Sequence, residues 1–391
     1  MVEITQDQKA LIDTALAALQ RGDGATAKDA LERVLAHINN DVGLWLALSD
    51  ACALLRDSSG QSAAVDAALQ LNANDLRVLI AKADLLAEAG DLRGASAFYQ
   101  SALRYAPQYK ELPPHLQAGL RRAQAANQKL AQELEDFVRA RMESAGFAQS
   151  DAPARLRGAV DLMFGKRRIY MQEPRYFYYP GLPQIEFYER SAFPWMDAIE
   201  AATDAIREEL LAVRGPDFTP YVTPTPGRPQ SAQAGMLNNP DWGAYFLCKN
   251  GEAQVGAEKC PQVMATLREA PLTRIPGRTP SVLFSKLAAG AHIPPHNGML
   301  NARLICHLPL IVPERCAFRV GNETRAWTEG KAWAFDDSIE HEAWNKSAAD
   351  RYILLFDIWR PELSEEECAG IAALCSAVDA FGGARAAAWD N

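Results

Sequence analysis

No apolar run in this 391-residue chain approaches the ~20 residues that a bilayer-spanning helix needs. The N-terminus MVEITQDQKALID lacks the basic-then-apolar pattern of a secretion signal. Both absences predict a cytoplasmic protein with no membrane partner. An excess of basic residues is also missing: 40 Lys and Arg stand against 49 Asp and Glu, a net charge of -9. That balance excludes nucleic acid or an anionic membrane as the main partner, because both require clustered cations. Seven cysteines form no CxxC pair, and their odd number argues against a zinc site or a disulfide framework. Reduced, mostly buried thiols are expected, with a Cys248–Cys260 pairing left open. Histidine is scarce, at six residues. Four of the six, His292, His296, His307 and His341, fall within one stretch of strand-like sequence.

The first hundred residues repeat with a period of 34: Gly22-Asp23, Arg56-Asp57 and Gly90-Asp91 share that spacing, as do Ala30, Ala64 and Phe98. The segments ALERVLAHINND, AVDAALQLNAND and FYQSALRYAPQY align without a gap. A 34-residue period with two amphipathic helices per unit resembles tetratricopeptide repeats. This implies a groove for a protein partner, or a packing module that mediates self-association. HLQAGLRRAQAANQKLAQELEDFVRARMESAG predicts one long capping helix, started by Pro113-Pro114 and ended by Gly146. The expected domains are a helical repeat domain over residues 1–150 and a second domain over 151–391.

In the second domain, QIEFYE reads as a strand, MDAIEAATDAIREELLAV as one amphipathic helix and NPDWGAYFLCKNG as a strand turning at Lys249-Asn250-Gly251. CPQVMATLREAPL reads as a further helix. From Val282 short strands follow one another: VLFSKLAAG, RLICHLPLIVP, AFRVGN, TRAWTEG, KAWAFDD, EHEAWNKS and RYILLFDIWRP. Ser364 caps a last helix, SEEECAGIAALCSAVDAFG. The expected class is α+β: an α-helical tetratricopeptide-like solenoid, then a double-stranded β-helix (jelly roll) with flanking helices.

Imidazole is the commonest ligand for iron, zinc, copper and nickel, and His296 and His341 are separated by enough strands to meet on one face. Arg303, Ile305 and His307 alternate along RLICHLPL and share a face by strand pleat. An unpaired Arg303 or Arg351 among apolar residues is costly, and a bound carboxylate would relieve the cost. Asp336-Asp337 precedes His341 and is a candidate to orient it or a metal-bound water.

The ordered motifs HxGxxNxRLxxHLPLxVP, EGKAWxFDDSxEHEAWN and R(x)7WRPELS resemble the aspartyl/asparaginyl β-hydroxylase family of iron(II)- and 2-oxoglutarate-dependent oxygenases. The resemblance covers about Tyr178 to Glu366. It implies that His296 and His341 bind iron, and that Ser285 and Arg351 hold the distal carboxylate of 2-oxoglutarate. It further implies that His307 contacts the cosubstrate and Arg303 faces the substrate carboxylate. A second arginine found in some members is here Ile305. The carboxylate of the usual facial triad is here Gly298, as in the family resembled, and Asp337 would hold a water at that position. The reaction implied uses O2 and 2-oxoglutarate to hydroxylate an aspartyl or asparaginyl β-carbon in a peptide, protein or metabolite. The alternatives are a tetratricopeptide scaffold with a degenerate barrel and a 2-oxoglutarate-dependent halogenase.

Overall fold

The computed structural model describes residues 5–109, 111–215, 217–224 and 235–381. It comprises two compact units, Met1–Lys166 and Arg167–Asn391. No described helix is long and apolar enough to cross a membrane. The C-terminal GGARAAAWDN lies outside the described residues.

The first unit is a row of helix pairs: α1 (Gln6–Gln20) with α2 (Gly24–Leu35), α3 (Val42–Leu54) with α4 (Ser58–Leu71), and α5 (Leu76–Glu88) with α6 (Leu92–Tyr105). The 34-residue period has a mechanical origin at each inter-helix turn. Asp23, Asp57 and Asp91 are the N-caps of α2, α4 and α6, and each carboxylate accepts the backbone N–H three residues on. The residue before each cap is in the left-handed region: Gly22 at φ 75°, Arg56 at 57° and Gly90 at 82°. Arg56 therefore occupies a glycine position. Close approach of the helices rests on Ala15, Ala18, Ala27, Ala51, Ala68, Ala83, Ala95 and Ala102, all fully buried. The 31-residue α7 (Pro114–Ser144) begins on Pro114 at its first turn and packs Leu120 and Ala123 against Ala95, Tyr99 and Ala102 of α6. The short α8 (Ala154–Met163) closes the unit. Its Asp161 accepts from Arg139 of α7 at 3.2 Å.

The second unit opens with an irregular segment and then α9 (Met196–Ala201), α10 (Thr203–Val213), β1 (Thr219–Pro220), β2 (Trp242–Lys249), β3 (Glu252–Ala253), α11 (Val255–Lys259) and α12 (Pro261–Thr266). Next come β4 (Val282–Leu287), β5 (His292–His296), β6 (Arg303–Ile311), β7 (Cys316–Val320), β8 (Glu323–Ala326), β9 (Trp333–Phe335), β10 (His341–Asn345), β11 (Arg351–Trp359) and the terminal α13 (Glu365–Ala380). Among the described residues these strands form two antiparallel sheets. The larger has the order β1-β2-β4-β11-β6-β9, with β3 on β2, and the smaller β5-β10-β7-β8.

Strand pleat divides the residues of the large sheet between two cores. Phe284, Leu304, Cys306, Leu308, Leu354 and Phe356 face α9, α10 and α12, where Met196, Ile199, Ile206, Leu210 and Val263 cover them. Leu283, Leu287, Ile305, Phe335 and Leu355 face Ile293, Phe318, Val320 and Ala343 of the small sheet. The site lies on this inter-sheet side.

Two local readings are corrected, and one strand is added that the sequence reading did not contain. QIEFYE forms no strand; only Phe187 bridges to Phe335. The segment predicted as one helix breaks at Ala202 into α9 and α10. β5, HIPPH, is a strand despite Pro294-Pro295. Proline cannot donate to a ladder, and β5 tolerates two because it is the edge of the small sheet. All seven cysteines are free, Cys248 and Cys260 included, and six are buried.

Candidate active site

β5 and β10 pair antiparallel with His296 directly opposite His341, which brings the two ring centroids to 4.1 Å. Each ring is oriented by its own backbone: His296 Nδ1 lies 2.8 Å from Pro294 O and His341 Nδ1 3.0 Å from Ile339 O. A carbonyl oxygen can only accept, so both Nδ1 atoms carry the proton and both Nε2 lone pairs are free. Burial drives both imidazoles toward the neutral form, His341 to about 4, and the nearby Arg175 charge adds to this. A neutral pair with free Nε2 atoms is the donor set that a divalent transition metal takes from protein.

A third protein ligand is absent: among the described residues no group of three His, Cys, Asp or Glu side chains could hold a metal. The reason is steric. A Cβ built on Gly298 would overlap the carboxylate of Asp337, so that carboxylate already fills the space a side chain from Gly298 would enter. Asp337 Oδ1 is buried without a hydrogen-bond partner, while Oδ2 accepts from Arg303 at 3.2 Å. The residues thus fit a metal that two imidazoles would hold, in a cavity that also carries an unsatisfied carboxylate oxygen.

The two aspartates before His341 part company. Asp337 turns into the site. Asp336 turns away, accepting from Arg360 at 2.9 Å, from Gln172 at 2.6 Å and from the Ser338 backbone N–H at 3.0 Å. Neither carboxylate hydrogen-bonds His341, which the Ile339 carbonyl orients; of the two roles read from sequence for this pair, holding a metal-bound water is the one left to Asp337.

A single cavity, open to solvent, is lined by both histidines together with Ser285, Arg303, His307, Asp337 and Arg351. Its remaining wall is largely apolar and aromatic, including Tyr221, Trp242, Ile305, Phe318, Trp327 and Phe335. The two arginines read from sequence differ in state. Arg303 donates to Asp357 at 2.9 Å and to Asp337 at 3.2 Å. Burial works against its charge, yet the two carboxylates hold its pKa above the ordinary value. The cost foreseen for an unpaired Arg303 is therefore met within the protein. Arg351 is 2% exposed, its Nε has no partner, and it pairs with no carboxylate among the described residues. Its guanidinium lies over the Trp327 ring at 5.0 Å, and burial lowers its pKa to about 10. His307 Nδ1 is likewise buried without a partner, and burial plus the Arg351 charge hold the ring neutral. Ser285 is buried on β4, where its neighbour across the ladder is Ile353 of β11.

His292 stands apart, stacked on Trp344 and 2.9 Å from Glu342. Reasoning from sequence missed Arg175, Tyr221 and Trp242. Arg175 reaches the cavity through backbone pairing of its segment with residues 298–299, which leaves no periodic trace in the sequence.

The family model for aspartyl/asparaginyl β-hydroxylase matches residues 200–361. An ornithine lipid ester-linked acyl 2-hydroxylase from Rhizobium tropici is 32% identical over 222 residues, covering 56% of this chain and 74% of that protein. The human aspartyl/asparaginyl β-hydroxylase is 38% identical over 129 residues, 32% of this chain but only 17% of the longer human protein. The Yersinia enterocolitica type III secretion translocator chaperone SycD aligns with 34% of this chain and 90% of its own, at 16% identity and a TM-score of 0.31.

Proposed function

This chain belongs to the aspartyl/asparaginyl β-hydroxylase family, and on that premise we propose that it is an iron(II)- and 2-oxoglutarate-dependent oxygenase. Its reaction would hydroxylate an unactivated C–H: the β-carbon of an aspartyl or asparaginyl unit in a peptide, protein or small metabolite. The observation that carries this reading is Arg351, a buried guanidinium that pairs with no carboxylate among the described residues, in the same cavity as the histidine pair. A buried cation without a counter-ion is costly, and the distal carboxylate of 2-oxoglutarate is the anion that would relieve it. Ser285 adds a hydroxyl to that carboxylate, and the neutral His307 offers a ring nitrogen to the cosubstrate. His296 and His341 would hold iron(II), which when bound supplies oxygen activation coupled to oxidative decarboxylation of 2-oxoglutarate to succinate.

The protein's own part is to bind and exclude. The aromatic wall keeps water from the reacting carbon, and Asp337 holds its unpartnered oxygen ready for a water beside the metal. Chloride, which halogenation would need at the metal, would share the cavity with the Asp337 carboxylate, and like charges repel. The alternation of β4 to β11 between two sheets supports a double-stranded β-helix as the frame for this chemistry. We read the helical repeats as a surface for a protein partner or for self-association.

A second reading of the substrate is favoured by Ile305. Where some family members carry an arginine this wall is apolar, which suits the carbon chain of a lipid, in line with the Rhizobium tropici relative. The test is turnover of 2-oxoglutarate to succinate by the purified chain with iron(II) and ascorbate, screened against aspartyl peptides, aspartyl metabolites and acylated amino acids. A product heavier by one oxygen identifies the substrate class. Absence of succinate under every condition refutes the oxygenase reading.

A further inference from the structure

Three guanidinium groups line the cavity among the described residues: Arg175, Arg303 and Arg351. Arg303 is neutralised within the protein by Asp337 and Asp357. Arg351, on the reading above, is matched by 2-oxoglutarate. Arg175 is left, and none of the described carboxylates pairs with it. It is held at the mouth by construction. Its N–H donates to Gly298 O at 2.9 Å, and those of Tyr176 and Phe177 donate to Met299 O at 3.0 and 3.1 Å. Tyr179 N–H donates to Asn301 Oδ1 at 2.7 Å. The segment carrying Arg175 is thus laced to the chain that leaves His296. Its charge also bears on the His296 and His341 rings. Its side chain is exposed, while His341 and Arg351 of the same cavity are buried, so Arg175 stands on the solvent side of the site.

We infer that Arg175 is the specificity-determining anchor for a carboxylate or phosphate on the substrate, taking the part that Ile305 cannot take and that Arg303 is already paired against. The substrate is then a molecule with an anionic group at the mouth and its reacting carbon inside, beside the histidine pair. This assignment rests on the oxygenase reading for the role of Arg351, but not for its own test. A planar guanidinium suits either anion through paired hydrogen bonds, whereas lysine offers only a point charge.

The test is calorimetric titration of the full chain loaded with zinc as a redox-inert metal, with and without 2-oxoglutarate. The probes are N-acetyl-L-aspartate α-amide, its neutral isostere N-acetyl-L-asparagine α-amide, and butyl phosphate. Wild type is expected to bind at least one anionic probe ten-fold or more tighter than the neutral one, since hydrogen bonds to charged groups are worth that factor. Which anion binds separates a carboxylate-bearing substrate from a phosphate-bearing one. Arg175→Gln is expected to abolish the preference and Arg175→Lys to restore part of it. Binding of 2-oxoglutarate itself, read in the same cell, is expected to weaken by about ten-fold or more in Arg351→Met, and its absence in wild type would refute the cosubstrate reading instead. No binding of either anionic probe to wild type overturns the Arg175 assignment. So does a preference that survives Arg175→Gln.

Discussion

At the scale of single residues the site is a set of unpaid electrostatic costs. Arg351 is the clearest, because burying a guanidinium without a counter-ion destabilises the empty protein. Arg351→Met should therefore leave the melting temperature of the empty chain unchanged or raise it, while weakening 2-oxoglutarate binding by roughly 10- to 100-fold. A melt with and without 2-oxoglutarate reads both effects, and a large drop in the stability of the empty variant would count against the assignment. Gly298→Asp restores the common triad carboxylate in sequence but sets it against Asp337. It should destabilise by about 1–3 kcal/mol, the usual penalty of overpacking, and Asp337→Gly should relieve it in the double variant. The buried imidazoles set a pH dependence. Burial depresses the folded-state values of His296, His307 and His341, the last to about 4, below the ordinary 6.5. The unfolded chain then binds more protons in between, so the stability of the metal-free protein should be full above pH 6.5 and fall as the pH drops toward 4. Denaturant melts across that range check the sign.

At the scale of elements the helical repeats are set by their turns. Asp23→Ala and Asp91→Ala should each cost about 1 kcal/mol through the lost N-cap. Asp57→Ala should cost more, because Asp57 also accepts from Lys28 at 2.7 Å. Arg56→Gly should stabilise by roughly 0.5–1 kcal/mol, since Arg56 holds a left-handed conformation that its neighbours in the period give to glycine. Chemical denaturation of the four variants tests the set. The same turns explain what could be read in advance. A Gly-Asp or Arg-Asp pair every 34 residues is local chemistry, as are the capping box at Ser364 and the alternation of Arg303, Ile305 and His307. β5 was hidden because two prolines argue against a strand until its edge position is known. QIEFYE misled because its aromatic residues pack as separate contacts, Phe187 on Phe318, Trp333 and Phe335, without a ladder. Pairings across long separations, such as Arg303 with Asp357 or Arg175 with Gly298, left no mark in the sequence.

At the scale of the whole molecule, every residue of the candidate site belongs to the unit Arg167–Asn391. A ligand stabilises the elements that bind it. Iron(II) with 2-oxoglutarate under anaerobic conditions should therefore slow hydrogen exchange in β4, β5, β6, β10 and β11. The helices α1 to α6 should be unchanged, which peptide-level mass spectrometry can resolve. Protection confined to the repeats would point to a different binding site. The central claim is that the histidine pair and Arg351 together make a 2-oxoglutarate oxygenase, and succinate formation tests it most directly. Purified wild type with iron(II), ascorbate, O2 and 2-oxoglutarate should form succinate, stimulated by a substrate from the screen. His296→Ala, His341→Ala and Arg351→Met should each lose it while remaining folded. Full succinate formation by His296→Ala, or none by wild type, would contradict the account.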